Sequence, residues 1–313
     1  MNNGNAAFPF LLGKKFSGEV SIECSYGPAH LLSGGRPADV LITPDTIDGL
    51  PELLKAIQAE ALPLVVMGNG SNLLVRDKGI RGVVIKLGNS LRELSRVDSS
   101  NTIRCQAGVS LSTLAARAAE YGLSGLEFAI GIPGSLGGAV VMNAGAYGGE
   151  IGELVTSATV IDAAGNLKTL SHEELAFSYR HTALQDSGDM LLEAELALKP
   201  GNTPEICAAM DTFTQKRLTK QPLNFPSAGS TFKRPPGHFA AALIDQAGLR
   251  GYRVGDAQVS EKHTGFVINC GHATASEILE LMAQIREKVF AVSGVWLEPE
   301  VRILGEDNPS QYK

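Results

Sequence analysis

Residues 62–75 read LPLVVMGNGSNLLV, an apolar strand-like run, then Gly68-Asn69-Gly70-Ser71-Asn72, then a second apolar run from Leu73. This spacing decides between two fold classes. A dinucleotide fingerprint would place a third glycine at position 73 and open a helix there. Leucine stands at 73 instead, and Leu73-Leu74-Val75 reads as a strand. A P-loop is absent too, since Gly13-Lys14-Lys15 lacks the upstream glycine and the Ser/Thr. The segment is then either a tight turn or a loop whose backbone N–H groups face an anion, with Ser71 and Asn72 as further donors.

Working outward, Leu50, Leu53, Leu54 and Ile57 fall at helical spacing between the strand-like runs DVLIT and LPLVVMG. They predict an amphipathic helix over 48–60 and a βαβ opening. RGVVIKL and TIRCQAG are further strands, and Ser110 caps a helix through Leu111, Leu114 and Ala118 that stops at Gly122. TSATVIDAAGNLKTL predicts a hairpin turning near Ala164-Gly165-Asn166, and MLLEAELALK a half-buried strand with Leu192, Ala194, Leu196 and Leu198 on one face. Prolines and a glycine in Lys199-Pro200-Gly201-Asn202-Thr203-Pro204 mark a boundary, beyond which a smaller α+β unit is expected. Its last helix starts with a Thr274/Glu277 capping box and buries Ile278, Leu281, Met282, Ile285 and Val289. The closing run WLEPEVRIL puts Leu297, Val301 and Ile303 on one face and Trp296, Glu298, Glu300 and Arg302 on the other.

The chain has 313 residues, of which 44% are hydrophobic and 19% charged, which excludes a disordered or collagen-like protein. Its net charge of −6 argues against a dedicated nucleic-acid binder. Cysteines at 24, 105, 207 and 270 form no CxxC and have no neighbouring histidine at ligand spacing, so a metal site or disulfide framework is not expected. No apolar run approaches the roughly 18 residues of a membrane helix. The N-terminal FPFLL precedes Gly13-Lys14-Lys15, the wrong order for a secretory signal, so a cytoplasmic protein with reduced thiols is expected.

A second glycine cluster runs from Gly131-Ile132-Pro133-Gly134-Ser135-Leu136-Gly137-Gly138-Ala139 to Asn143-Ala144-Gly145-Ala146-Tyr147-Gly148-Gly149. Each glycine would cost a regular element about 0.5–1 kcal/mol, so a specific need must offset the cost. Two such loops on one α/β domain suit the pyrophosphate and ring of a large cofactor.

The segments GNGSNLLVRD, GLEFAIGIPGSLGGAVVMNAGAYGGE, SYR, KQPLNFPSAGSTFKRP, HFAAALIDQAGLRGYRVGDAQVSEKHTGFVIN and WLEPEVR together resemble the UDP-N-acetylenolpyruvoylglucosamine reductase family. The likeness runs in order from about Pro37 to Gly305. It implies an α+β fold: residues 37–200 as a two-part FAD-binding domain of the vanillyl-alcohol-oxidase (PCMH) type, and 201–313 as a smaller substrate domain. Residues 1–36 have no assigned role. It also implies that NADPH reduces FAD, which then reduces UDP-N-acetylglucosamine enolpyruvate to UDP-N-acetylmuramate, a peptidoglycan precursor.

By the same resemblance, Arg180 is catalytic and holds the substrate carboxylate, Ser230 gives a proton to the enolate-like carbon, and Glu300 assists there. FAD falls to Gly68, Asn69, Gly70, Ser71 and Asn72 and to Gly131, Ile132, Pro133, Gly134, Ser135, Gly137, Gly138, Ala139, Asn143 and Gly145. Lys220, Tyr179 and either Lys233 or Arg234 fall on the substrate's side. Neither glycine loop holds His or Cys, so FAD is expected to be non-covalent. His181 and His263 are open between ligand contact and structural roles.

Two features stand apart. Glu298 and Glu300 share a strand face, as a glycosidase pair would, although nothing else supports sugar hydrolysis. Before the Pro37-Ala38-Asp39 step the chain reads HLLSGGR, where the family usually reads like HTTFRIGG. A flavin or nucleotide-sugar binder without turnover, and another flavin oxidase of the same superfamily, are the competing readings.

Overall fold

In Ala38–Pro44 every second residue is buried, and Val40 and Ile42 are fully so, which is the period of a strand with one face on a core. The helix Leu50–Ala59 follows, with proline in its first turn and Leu50, Leu53, Leu54 and Ile57 turned inward. A computed structural model describes residues 17–24, 38–88 and 90–306. The altered segment before Pro37, and nearly all of the unassigned N-terminal stretch, lie outside the described residues.

By packing, the described chain forms two compact units: 17–22, 39–69 and 82–216 in the first, and 70–81 with 217–306 in the second, besides the short stretch 23–24 and Ala38. The boundary expected at 199–204 therefore lies inside the first unit, where Lys199–Pro200 pairs with Leu123–Ser124. The helix Thr203–Lys220 then runs through the point where the packing changes unit.

The first unit holds two sheets. One has the strand order Gly18–Cys24, Ala38–Pro44, Ile80–Lys86, Leu64–Met67. The predicted βαβ opening is thus split: Ile80–Lys86 sits between the two strands that flank the helix, parallel to Leu64–Met67 with Leu64 opposite Val83. The Gly82 amide donates to the Asp39 carboxylate at 2.8 Å, which ties the inserted strand to the edge of the first. The other sheet is antiparallel, in the order Leu167–Ser171, Val155–Ile161, Met190–Ala197, Thr102–Gln106, Leu94–Arg96. Its hairpin turns as predicted, with Asp162 oxygens accepting from the Ala164 and Asn166 amides at 2.9 Å. Ser110 accepts the Thr113 amide to cap Leu111–Glu120, and one apolar core spans both sheets of this unit.

The second unit is built on a meander of Arg253–Val254, Ala257–Val259 and Val267–Asn269 with the helices Ala240–Gln246 and Ala275–Ser293. The predicted capping box Thr274/Glu277 is present, and the predicted stripe from Ile278 to Val289 is buried. Asp77, far away in sequence, also accepts the Ala275 and Ser276 amides at 2.8 and 3.0 Å. The WLEPEVRIL run alternates as expected, with Leu297 and Val301 buried, but only Arg302–Leu304 forms a strand, parallel to Leu73–Val75.

Two substitutions separate capping from packing in the second unit. Asp77→Ala removes the acceptor of two amides at the start of Ala275–Ser293 and should cost about 1 kcal/mol. Ile285→Ala leaves a cavity at a fully buried site and should cost about 2–5 kcal/mol. Urea unfolding should rank the two in that order, with an unchanged slope.

Candidate active site

The first glycine segment changes unit in its middle. On the first unit's side, a Cβ added to Gly68 would stand 2.4 Å from Ser135 Oγ and 3.7 Å from the Gly138 nitrogen, so only glycine lets the backbone lie against the second glycine cluster here. Asn69 Oδ1 and Ser135 Oγ are both buried without a hydrogen-bond partner. Ser90 Oγ, also in this unit, is in the same condition. A buried, unsatisfied polar atom costs about 1–3 kcal/mol, so such atoms mark a place where a ligand's polar groups complete the bonding. An acceptor amide oxygen and two hydroxyls fit a cofactor carrying both ring N–H and sugar-like hydroxyls, as FAD does.

Other members of the predicted cradle make bonds and close approaches within the protein. The Gly137 amide donates to the Ala107 carbonyl at 2.9 Å, and a Cβ on Gly137 would meet Ala107 Cβ at 3.0 Å. A Cβ on Gly145 would stand 2.6 Å from the Gly149 carbonyl oxygen, because Gly145–Ala146 and Gly149–Glu150 pair as a hairpin turning at Tyr147 and Gly148. The Gly134 amide donates to Ile132 O at 2.9 Å. Ser135 precedes the short helix Leu136–Val141, which contains Gly138 and Ala139. Gly131, Ile132 and Pro133 form the turn before it.

Asn143 bonds within the protein through its whole side-chain amide. Its Nδ2 donates to Glu150 at 3.1 Å and to the Ser178 carbonyl at 2.9 Å, while its Oδ1 accepts the Gly152 amide at 2.9 Å. Both amide protons of Asn143 thus have protein acceptors, and the side chain positions its surroundings. What it positions is Arg180. The guanidinium donates from Nη1 to the Asn143 carbonyl and from Nη2 to the Gly145 carbonyl, both at 3.2 Å, with a Glu150 oxygen 3.6 Å away. Its side chain is 15% exposed. Arg180 itself has φ +57°, which turns the chain back on itself after Tyr179, and the Tyr179 ring lies 4.8 Å from the guanidinium. His181 turns to Asp186 at 3.3 Å.

In the second unit, Ser230 is exposed and follows Gly229, whose φ is +77°. The next residue, Thr231, is 1% exposed and holds three bonds. Its amide donates to Gly265 O, its Oγ1 accepts the Val267 amide, and its carbonyl accepts the Glu300 amide, each at 2.9 Å. Thr231 therefore ties Ser230 and Glu300, remote in sequence, to neighbouring positions on one framework. Asn72 supports the same place, donating to the Glu300 carbonyl at 3.1 Å, while its own carbonyl accepts the Arg302 amide at 3.0 Å. This side chain braces the Glu300 segment. Gly70, with φ +74°, accepts the Leu73 amide in the turn that contains Ser71.

Of the expected substrate-side cations, Lys233 pairs with Glu298 at 3.2 Å, and Arg234 lies 4.1 Å from the Phe239 ring centroid. Lys220 is exposed at the end of its helix. The Glu298 side chain is 71% exposed and engaged by Lys233, an arrangement of a surface ion pair and not of a general acid held in apolar surroundings.

Sequence reasoning missed Thr231 and Glu150. Thr231 sits inside a quoted motif, but only the folded register shows that its carbonyl meets residue 300. Glu150 ends the long glycine motif, and its partners are set by a hairpin that the glycines had concealed.

Comparison with known proteins agrees with this picture. Residues 38–171 match the FAD binding domain family, and residues 221–304 match the family described as UDP-N-acetylenolpyruvoylglucosamine reductase, C-terminal domain. The chain is 51% identical over 282 residues to the UDP-N-acetylenolpyruvoylglucosamine reductase of Agathobacter rectalis, covering 87% of this chain and 90% of the relative. It is 50% identical to that of Clostridioides difficile, covering 87% and 89%. The crystal structure of the Thermus caldophilus reductase superposes with a TM-score of 0.76 at 35% identity, over 92% of this chain and 99% of that one. With such coverage on both sides, and with an FAD binding domain family matched over 38–171, the chain belongs to the UDP-N-acetylenolpyruvoylglucosamine reductase family.

Proposed function

We propose that this chain is the NADPH-dependent, FAD-mediated reductase that converts UDP-N-acetylglucosamine enolpyruvate to UDP-N-acetylmuramate for peptidoglycan synthesis. The observation that carries the reading is the Thr231 framework, which holds the hydroxyl-bearing Ser230 turn and the Glu300 segment together. FAD, when bound, supplies the redox chemistry, accepting two electrons from NADPH and passing a hydride to the substrate's double bond.

Gly68, Asn69 and Ser135 are the residues we assign to holding FAD, because their backbone approach and unsatisfied atoms suit it. Arg180, fixed by two backbone carbonyls, offers a charge-assisted donor to the enolpyruvyl carboxylate. That charge stabilises the enolate-like carboxylate as the double bond gains electrons. Ser230 Oγ then delivers its proton to the carbon that carries the new electron pair, and solvent restores the hydroxyl. Glu300, tied through its amide to Thr231, assists at the same carbon. Lys220 and Tyr179 are assigned to the substrate's anionic and sugar groups. Among the described residues no helix is long and apolar enough to cross a membrane, and we place the enzyme in the cytoplasm, where NADPH is supplied.

The purified protein should carry a flavin spectrum that bleaches anaerobically with NADPH and recovers when UDP-N-acetylglucosamine enolpyruvate is added. Bleaching without recovery would point to another acceptor, and the absence of bound flavin after FAD is supplied would point to a protein without turnover. Ser230→Ala should leave bleaching by NADPH intact and slow recovery by about 10²–10⁴-fold; equal loss of both half-reactions would remove the proton-donor assignment. Gly68→Val should lower bound FAD severalfold with circular dichroism unchanged. A wild-type flavin-to-protein absorbance ratio would show that this approach is not part of the cradle.

A further inference from the structure

The Ser230 turn hangs on a short chain of contacts that leads to a histidine. Thr231 donates to Gly265 O at 2.9 Å, and the Gly265 amide in turn donates to His263 Nδ1 at 3.2 Å. His263 is itself held in a closed turn. Its amide reaches Ser260 Oγ at 3.2 Å, its carbonyl accepts the Phe266 amide at 3.0 Å, and its ring meets Phe266 edge-on at 4.9 Å between centroids. Thr264 and Ser260 are 5% and 1% exposed. Position 265 is glycine because a Cβ there would press on His263 Cε1 at 3.0 Å and on the Ala241 Cβ at 3.3 Å, so the ring could not come up to the amide.

We propose that His263 is a positioning residue for the proton donor: with Nδ1 unprotonated it locks Gly265, which holds Thr231 and so sets the turn that presents Ser230. This rests on the reading of Ser230 given above. The bond needs a lone pair on Nδ1, so it exists only in the neutral imidazole with its proton on Nε2.

The surroundings keep that form. Burial pushes the imidazole below its ordinary value and outweighs a hydrogen bond to the residue's own backbone, which acts the other way; the positive charges of Arg250 and Lys220 add to the lowering. Arg250 is held there by Asp245, whose Oδ2 lies 2.8 Å from Nη2, and by the Glu261 carbonyl. Lys262, next in sequence, turns away and donates to the Leu218 carbonyl at 2.7 Å. The Glu261 carboxylate lies toward Gly251, where an added Cβ would stand 3.3 Å from it. The cations therefore act on the ring without carboxylate compensation large enough to reverse the shift. The sign follows: at neutral pH and above, the lock is intact. As pH falls through the depressed value of His263, below the ordinary imidazole value of about 6.5, Nδ1 gains a proton, two N–H groups face each other, and the lock opens.

The test compares wild-type holoenzyme with His263→Leu, His263→Asn and Ser230→Ala. Leucine removes the acceptor, whereas the asparagine Oδ1 occupies the place of Nδ1 and cannot be protonated in this range. His263→Leu should reoxidise with UDP-N-acetylglucosamine enolpyruvate about tenfold more slowly while its reduction by NADPH is unchanged. Amide hydrogen exchange in the 228–233 peptide should quicken in the same variant. His263→Asn should restore both readings and abolish the acid decline in reoxidation that wild type shows. Wild-type exchange and reoxidation in His263→Leu, an asparagine variant as slow as the leucine one, or an acid decline that survives in His263→Asn would each overturn the proposal. If His263→Leu does not fold, the asparagine variant and the two pH profiles decide alone. If Ser230→Ala reoxidises at the wild-type rate, the proton-donor reading fails, while the exchange data still judge the lock.

Discussion

The second unit depends on one long-range register, the parallel pairing of Leu73–Val75 with Arg302–Leu304. Parallel strands cannot be joined by a tight turn, and closing so long a loop carries an entropy cost that local contacts do not offset. The return comes from burial: Leu74 is fully buried, and Leu297 and Val301 join the core formed with the stripe of Ala275–Ser293. Once that register is set, its neighbours follow. Asn72 reaches the Glu300 carbonyl, Asp77 caps the long helix, and the Glu300 amide is left to meet the Thr231 carbonyl.

Buried polar groups follow two opposite patterns, and the first unit holds both. Around Arg180 and Thr231 the described backbone and side-chain bonds close on one another: Asn143 commits its amide protons to protein acceptors, and Thr231 uses its amide, hydroxyl and carbonyl. Closed networks of this kind fix geometry and exclude alternatives. Asn69 and Ser135, by contrast, leave buried oxygens unsatisfied. A ligand that brings matching groups would recover the stability lost there, which under the proposed function couples cofactor retention to folding of the first unit.

Most ion pairs among the described residues lie at the surface. Arg104 bridges Glu193 and Glu195 on the exposed face of the antiparallel sheet, where Glu193 is raised by partial burial. Such exposed pairs contribute little to stability. The Arg180–Glu150 contact differs because the guanidinium is withdrawn from solvent and backbone carbonyls share its charge.

Local chemistry was legible in the sequence. The helices Leu50–Ala59, Leu111–Glu120 and Ala275–Ser293, their caps and stripes, and the hairpin at Asp162–Asn166 follow from periodicity and turn residues that act within a few positions. The long motifs carried the family and the candidate residues Arg180, Ser230 and Glu300. What the sequence could not express was which distant segments meet. It gave no sign that Ile80–Lys86 enters between the strands of the βαβ opening, that 70–81 packs with the C-terminal unit, or that Asn143 and Gly145 turn inward to hold an arginine. Periodicity reports which face of an element is buried, because burial repeats along the chain; the partner that covers the face depends on loop closure and packing across hundreds of residues, and only the tertiary structure decides it.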